Sequence, residues 1–310
     1  MTQLGNPALP ILSKLLDRQM LFVSGKGGVG KTSISRAIAM GYARHGLKTL
    51  WVAFEDPLKK PGELIEAEPN LWLLNCVGTV AFEEYTGLKI GIPSLTRLFV
   101  RNRLIQTLAQ GAPGIHEIVL LGKVWHELAN YQKIVLDMPS TGFGLAMFHS
   151  VLNFQQLFKG GPIQRDAEKM MKTFRDPNIC GNLIVSLPEE MPLRESLDLA
   201  GLLAEVLPGT GPGFLVNRVY PEIAPLVPEH QSPFPQSAFD YLCHRSQLEK
   251  INLKIWDDLK IPYLTLGAVE PPVHLDPLNP SLTLEQSSII EQLYEKLKAA
   301  QLFGAEPGGH

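Results

Sequence analysis

The chain has 310 residues, 45% hydrophobic and 19% charged, the proportions of a globular protein with a full core and not of a disordered chain. A formal net charge of −3 lacks the basic excess of a dedicated nucleic-acid binder, so no nucleic-acid partner is expected. The three cysteines, Cys76, Cys180 and Cys243, form neither a C-x-x-C pair nor a zinc spacing, so structural zinc and a disulfide framework are not expected either.

In chain order, Asn6, Pro7 and Pro10 stand where a signal peptide would place its charged and apolar regions. Short apolar runs bounded by Gly, Pro, Asp or Asn then predict strands at Met20–Ser24, Thr49–Phe54, Leu71–Val77, Lys133–Leu136, Asn182–Leu187, Phe214–Val216 and Tyr263–Leu266. Between them, helical periodicity marks Ser33–His45, His116–Asn130 and Pro192–Val206. This alternation predicts an α/β fold, a doubly wound and mostly parallel sheet flanked by helices, in one domain over residues 1–310. No strand is evident between Thr79 and Asn130, and Phe143–Asp176 reads as helix only. Elements at about 79–130 and 143–176 are therefore expected to build a helical layer or subdomain. Pro221–Pro235 reads as a surface loop, and Gly304–His310 as a disordered tail. The longest stretch without Asp, Glu, Lys or Arg, from Met138 to Phe158, contains Pro139, His149, Asn153, Gln155 and Gln156, too polar for a membrane span. A cytoplasmic location is expected, with peripheral attachment to the inner face of the membrane left open.

The strongest chemical signal is Gly25-Lys26-Gly27-Gly28-Val29-Gly30-Lys31-Thr32, followed by Ser33. It fits G-x-x-x-x-G-K-[ST], directly after a predicted strand and before a predicted helix. Glycines let backbone N–H groups curl around phosphate oxygens, and the helix N-terminus adds its positive end. Lys31 would bridge the β- and γ-phosphates of ATP, and the Thr32 hydroxyl would bind Mg²⁺. Asp137 closes the run Ile134-Val135-Leu136, where a strand-end carboxylate can hold a Mg²⁺-bound water. Asp56, in Phe54-Glu55-Asp56-Pro57, ends the second strand, although Asp-Pro is also an ordinary turn initiator.

The K-G-G-x-G-K-T form of the loop resembles the deviant Walker A ATPases, a class that includes ArsA, the tail-anchored-protein targeting ATPase, MinD, ParA and the nitrogenase iron protein. That resemblance implies that Lys26 crosses a dimer interface to the partner's ATP. Asp137-Met138-Pro139-Ser140-Thr141-Gly142 is similar to the second switch of the ArsA/tail-anchored-targeting branch, D-x-x-P-T-G-H, with Phe143 in place of His. Asp56-Pro57-Leu58-Lys59 is similar to that branch's D-P-A-H, which implies that Asp56 positions or deprotonates the attacking water. Pro113-Gly114-Ile115-His116-Glu117 resembles its P-G-I-D-E, with His116 replacing an acid. Leu187-Pro188-Glu189-Glu190 followed by Arg194-Glu195 resembles the element after the next strand of that branch, which implies that Glu189 contacts nucleotide across the dimer. Val216-Asn217-Arg218 resembles its V-N-Q/R, which implies that Asn217 meets adenine, where a side-chain amide can both donate and accept.

The resemblance implies a Mg²⁺-dependent ATPase working as a homodimeric switch, with an unidentified protein client that includes a hydrophobic or membrane-protein segment among its options. A positioning ATPase of the MinD/ParA kind and an ATP-binding adaptor with little hydrolysis stay open, as does an oxyanion-pump subunit with a metalloid role for the cysteines. Leu58, Lys59, His116 and Phe143 are the departures that keep the adaptor alive. Met147, Phe148, Val151, Leu152, Phe154, Leu157 and Phe158, followed by Met170, Met171 and Phe174, suit either a client groove or ordinary helical packing. Leu282–Leu302 is amphipathic, with Glu285, Glu291 and Glu295 beside Lys296 and Lys298, which suits docking on the sheet better than a basic membrane helix.

Overall fold

A computed structural model describes residues 6–90, 114–157, 162–220, 236–269 and 282–303. The elements in order are α1 (Ala8–Leu16), β1 (Met20–Ser24), α2 (Lys31–Arg44), β2 (Thr49–Phe54), β3 (Leu64–Glu68), β4 (Leu71–Cys76), α3 (Gly78–Ile90) and α4 (Ile115–His126). They continue with β5 (Lys133–Asp137), α5 (Thr141–Leu157), α6 (Pro162–Phe174), β6 (Cys180–Ser186), α7 (Glu190–Val206), β7 (Gly213–Val219), α8 (Gln236–Asp258), β8 (Tyr263–Gly267) and α9 (Leu282–Ala299). The eight strands form one sheet in the order β3-β4-β2-β5-β1-β6-β7-β8. All neighbours are parallel except β3 with β4. The doubly wound, mostly parallel α/β architecture expected from the alternation is the one observed.

Apart from edge strand β3, the strands are covered on both faces, so their residues divide between two cores. Along β1, Met20 and Phe22 join one core while Leu21 and Val23 join the other, as the two-residue period of a strand requires. Helices α1, α2 and α9 cover the Leu21 face, and the helices from α3 to α8 cover the Phe22 face. On the second face Phe22, Phe148 and Phe174 meet edge to face, with centroids 5.2 to 6.0 Å apart.

The helical stretch around α5 and α6 belongs to that core. Met147, Phe148, Val151, Met170, Met171 and Phe174 are all buried, and Leu152 packs against them. Of the two readings of this Met- and Phe-rich stretch, packing holds for these residues.

Helix α1 and strand β3 are additions to the elements expected from the sequence. Asn6 starts α1 by accepting the Ala8 N–H at 2.8 Å, and its amide donates to the Tyr263 carbonyl of edge strand β8 at 3.1 Å. Strand β3 is an exposed antiparallel edge, Leu-Ile-Glu-Ala-Glu, with no buried alternation to announce it. Helix α9 docks on α2, where Arg44 forms a two-pronged pair with Glu291 at 2.7 and 2.8 Å and lies over the Tyr294 ring. The expected loop at Pro221–Pro235, the tail at Gly304–His310, residues 91–113 of the expected helical layer and Phe158 lie outside the described residues. Among the described residues, no helix is long and apolar enough to cross a membrane.

Candidate functional site

Strand β1 lies between β5 and β6, and the chain crosses it on the way from one to the other. This is a topological switch point, and the loops leaving the carboxyl ends of β1, β5 and β2 converge on the crevice there. The loop after β1, residues 25–30, turns on positive φ angles at Gly25 (145°), Gly28 (86°) and Gly30 (95°). At two of these glycine is also required by crowding. A Cβ on Gly25 would overlap the carbonyl of Val185 on β6, and one on Gly30 would lie 2.6 Å from the Asn217 amide nitrogen. Asn217 is buried and donates to the Val29 carbonyl at 2.9 Å. The residue expected to meet adenine thus also braces the phosphate loop from β7.

Gly30 precedes α2, and Lys31, Thr32 and Ser33 form its first turn. Lys31 Nζ donates to the Lys26 carbonyl at 2.9 Å. Burial lowers the Lys31 pKa from the ordinary lysine value, with Asp137 acting in the opposite direction. Thr32 Oγ1 donates to Asp137 Oδ2 at 2.6 Å, across from α2 to the end of β5. The other oxygen, Asp137 Oδ1, is buried with no hydrogen-bond partner. Burial raises the Asp137 pKa above the ordinary carboxyl value, against the Thr32 hydrogen bond and the charges of Lys31 and Lys59, while Asp56 adds repulsion. A hydroxyl and a half-satisfied carboxylate at the foot of a phosphate loop form a hard-oxygen donor set, and those residues fit Mg²⁺.

Asp56 lies in the loop after β2. Burial disfavours its charge, but the Lys59 ammonium at 2.9 Å and the Leu58 N–H at 3.0 Å prevail and hold its carboxyl below the usual range. The backbone of this loop hangs on Asn75, a residue that motif reasoning missed. The Asn75 side chain accepts from Asp56 N–H at 3.0 Å and donates to the carbonyls of Asp56 at 2.9 Å and Lys59 at 3.0 Å. Asn75 is buried at the end of β4. A polar amide closing the apolar run Leu71–Cys76 was the available signal.

Lys26 does not point away from its own chain. Its ammonium pairs with Glu195 of α7 at 2.7 Å, with both side chains about two-fifths exposed. Glu189 precedes α7, exposed, and meets Arg245 of α8 at 3.3 Å. Arg218 is exposed with φ 57°. Pro139 lies in the turn after β5, Thr141 opens α5 and Gly142 follows, while Ser140 accepts the N–H groups of Phe143 and Gly144. Phe143 is partly exposed at this rim and Leu58 almost wholly so.

Burial pushes the thiols of Cys76 and Cys180 up to about 12, and Cys243 lies on α8. Among the described residues, no three His, Cys, Asp or Glu side chains are placed to hold a metal together. Large exposed apolar side chains on and just after α8 include Tyr241, Leu248, Ile251, Ile255 and Leu259.

Comparison with known proteins agrees with this geometry. Residues 18–161, from the approach to β1 through α5, match the family described as "Anion-transporting ATPase". The chain is 27% identical to the ATPase BagA of Mycobacterium tuberculosis over 279 residues, covering 83% of this chain and 81% of that protein. It is 28% identical to an ATPase GET3 of Phaeosphaeria nodorum over 221 residues, 64% of this chain and 65% of the relative. A Plasmodium vivax ATPase ASNA1 homolog is 32% identical over 163 residues, 48% of this chain and 41% of the relative. The matched span holds the phosphate loop at the switch point and the Thr32–Asp137 pair beside it, and with these relatives the chain is an ATPase that resembles this family over residues 18–161.

Proposed function

We propose that this ATPase is a Mg²⁺-dependent, homodimeric nucleotide switch that couples ATP hydrolysis to a protein partner, with a hydrophobic or membrane-protein segment as the kind of client its resemblance implies. The observation that carries the reading is the Thr32–Asp137 pair, whose second carboxylate oxygen is buried and unpartnered beside Lys31.

Backbone N–H groups of residues 25–30 and the N-terminus of α2 bind the phosphates. Lys31 exchanges the Lys26 carbonyl for β- and γ-phosphate oxygens, and its desolvation strengthens that contact. Thr32, and Asp137 through water, would hold Mg²⁺, which would supply charge neutralisation on the phosphates. Ser33, Glu189, Asn217 and Arg218 complete the nucleotide site, Asn217 while bracing Val29.

Asp56 orients the attacking water. Its lowered pKa makes it a weak base, so positioning by hydrogen bonding is the role its electrostatics favour over full deprotonation. Lys26 reaches across the dimer to the partner's nucleotide. Leaving Glu195 is no obstacle, because an exposed ion pair of this type contributes about 1 kcal/mol or less. Pro139, Thr141 and Gly142 carry the state of the site from Asp137 into α5.

Size-exclusion light scattering run beside a phosphate-release assay tests this reading. Wild type and Lys26→Ala are compared with ADP and with ATP, with and without Mg²⁺. An ATP-strengthened dimer with slow Mg²⁺-dependent turnover, both impaired by Lys26→Ala, is expected. A monomer indifferent to nucleotide, or binding without turnover, removes the switch.

A further inference from the structure

The residue before Asp56 has an unusual backbone. Glu55 adopts φ 52°, a left-handed conformation that costs a non-glycine residue about 1–2 kcal/mol and persists only where several contacts hold it. Three contacts do so. Its N–H donates to the Cys76 carbonyl at 3.0 Å, its Oε1 accepts the Gly78 N–H at 2.7 Å, and the same oxygen lies 3.1 Å from His116 Nε2. The conformation turns the chain out of β2 and sets the direction in which Asp56 leaves the sheet.

His116 belongs to the first turn of α4, and that turn is a junction. On one side, a Cβ on Gly78 would overlap the His116 ring, so the start of α3 and the imidazole are packed as closely as glycine allows. On the other, a Cβ on Gly114 would lie 3.1 Å from the Ser150 Cβ of α5. Helix α4 packs on both α3 and α5, and α5 is the helix that Asp137 and Thr141 lead into. The first turn of α4 therefore touches the element that continues from the Mg²⁺-type carboxylate. Through His116 it also touches the residue next to the hydrolytic carboxylate.

We infer that His116 and Glu55 form a positioning pair that ties Asp56 to the helical layer, so that a shift of α4 along α5 changes the direction of Asp56. The inference rests on the reading of Asp56 as the residue that orients water. His116 is a positioning residue and touches no reacting atom. It reaches the site through Glu55, which occupies the strained backbone position where a small displacement redirects the following side chain. Misplacement by about 1 Å can cost on the order of a hundredfold in rate without loss of binding.

The test compares wild type, His116→Leu, Glu55→Gln, the double variant and His116→Gln, which keeps a donor. For each, kcat for ATP hydrolysis and the affinity for a fluorescent ADP analogue are measured, with thermal melting to confirm folding. Both side chains are about two-fifths exposed, which suits these replacements. His116→Leu is expected to lower kcat about tenfold or more with affinity changed less than about twofold. The double variant is expected to fall no further than the worse single one, and His116→Gln to recover most of the rate. Wild-type kcat in His116→Leu, additive losses, or an equal loss of affinity would overturn the pair. If Asp56→Asn keeps normal turnover, the Asp56 reading fails on its own, and the pair is then judged by amide exchange across residues 55–62. Faster exchange in His116→Leu supports the tie, and unchanged exchange refutes it.

Discussion

Strand β5 carries a charged group at each end, and the two are treated in opposite ways. At its start the Lys133 ammonium is buried and donates to three carbonyls, Leu16 at 3.0 Å, Asp17 at 2.7 Å and Arg18 at 3.0 Å, with the Tyr42 ring face 4.8 Å away. Three donors meet three acceptors, the carbonyls of the last residue of α1 and of the two residues that follow it, and the Leu16 carbonyl also accepts from the Tyr42 hydroxyl. At its finish Asp137 has one oxygen bound to Thr32 and the other buried with nothing. An unmet buried acceptor costs about 1–3 kcal/mol. One end of the strand is completed by the chain itself. The other leaves one acceptor unmet, the oxygen that the Mg²⁺ reading uses.

The largest effect that separates the two ends is expected from Asp137→Asn. The amide still accepts from Thr32 but removes the buried negative charge and weakens the donor set for Mg²⁺. Turnover should fall by about a hundredfold or more. The nucleotide-free protein should melt a few degrees higher, from about 1 kcal/mol of relief. Scanning calorimetry beside the phosphate-release assay reads both, and a lower melting temperature would break the comparison. Lys133→Met is the opposite case. It leaves the Asp17 and Arg18 carbonyls without their donor, while the Tyr42 hydroxyl still serves Leu16, so denaturant unfolding should show a loss of about 1–3 kcal/mol, while turnover stays within about twofold at a temperature where the variant is folded. A large loss of turnover there would mean that the two ends are not separable.

Asn75→Ala sharpens the point, because it removes a satisfied group at the functional end. Its three hydrogen bonds hold the backbone on both sides of the Asp56 turn, so turnover should drop about tenfold through misplacement of Asp56. Nucleotide affinity, read by the same ADP analogue, should stay near wild type, because no hydrogen bond joins Asn75 to the phosphate loop. Equal loss of both would show that Asn75 supports the whole site and not the hydrolytic loop.

These residues also mark how far the sequence could be read. The phosphate loop was legible because its glycines answer to local backbone geometry. Gly25 and Gly30 have no room for a side chain and need positive φ, and that requirement is written as a fixed spacing. Strands β1 and β2 were legible to the residue because they are short apolar runs closed by loop residues on each side.

What supports the site was not legible. Lys26 meets Glu195 from 169 positions away and Asn217 meets Val29 from 188, and no spacing rule joins such partners. His116 stood out only as a departure from a resembled motif, without a hint that Glu55 was its neighbour. The Met- and Phe-rich helices were ambiguous for a different reason. A core layer and a client groove ask for the same side chains, and the edge-to-face packing of Phe148 and Phe174 on Phe22 places those two in the core.

The smallest expected effect is a pH dependence confined to the satisfied end. Burial holds the Lys133 pKa at about 8, below its ordinary 10.5, with Asp17 acting in the opposite direction. The folded state therefore releases this proton at lower pH than the unfolded chain does. Between about pH 8 and 10.5 the unfolded chain binds more protons at this position, and stability from this group rises with pH across that window. Below pH 8 both states are protonated, and the penalty for burying the charge is present in full. Denaturant midpoints measured from pH 7.5 to 10.5 should show a rise in wild type relative to Lys133→Met, which has no proton to lose. The difference between the two proteins isolates the lysine from every other group that titrates there. A difference that stays flat would mean that the three carbonyls and the Tyr42 face offset the burial completely, so that the charge at the start of β5 costs the fold nothing.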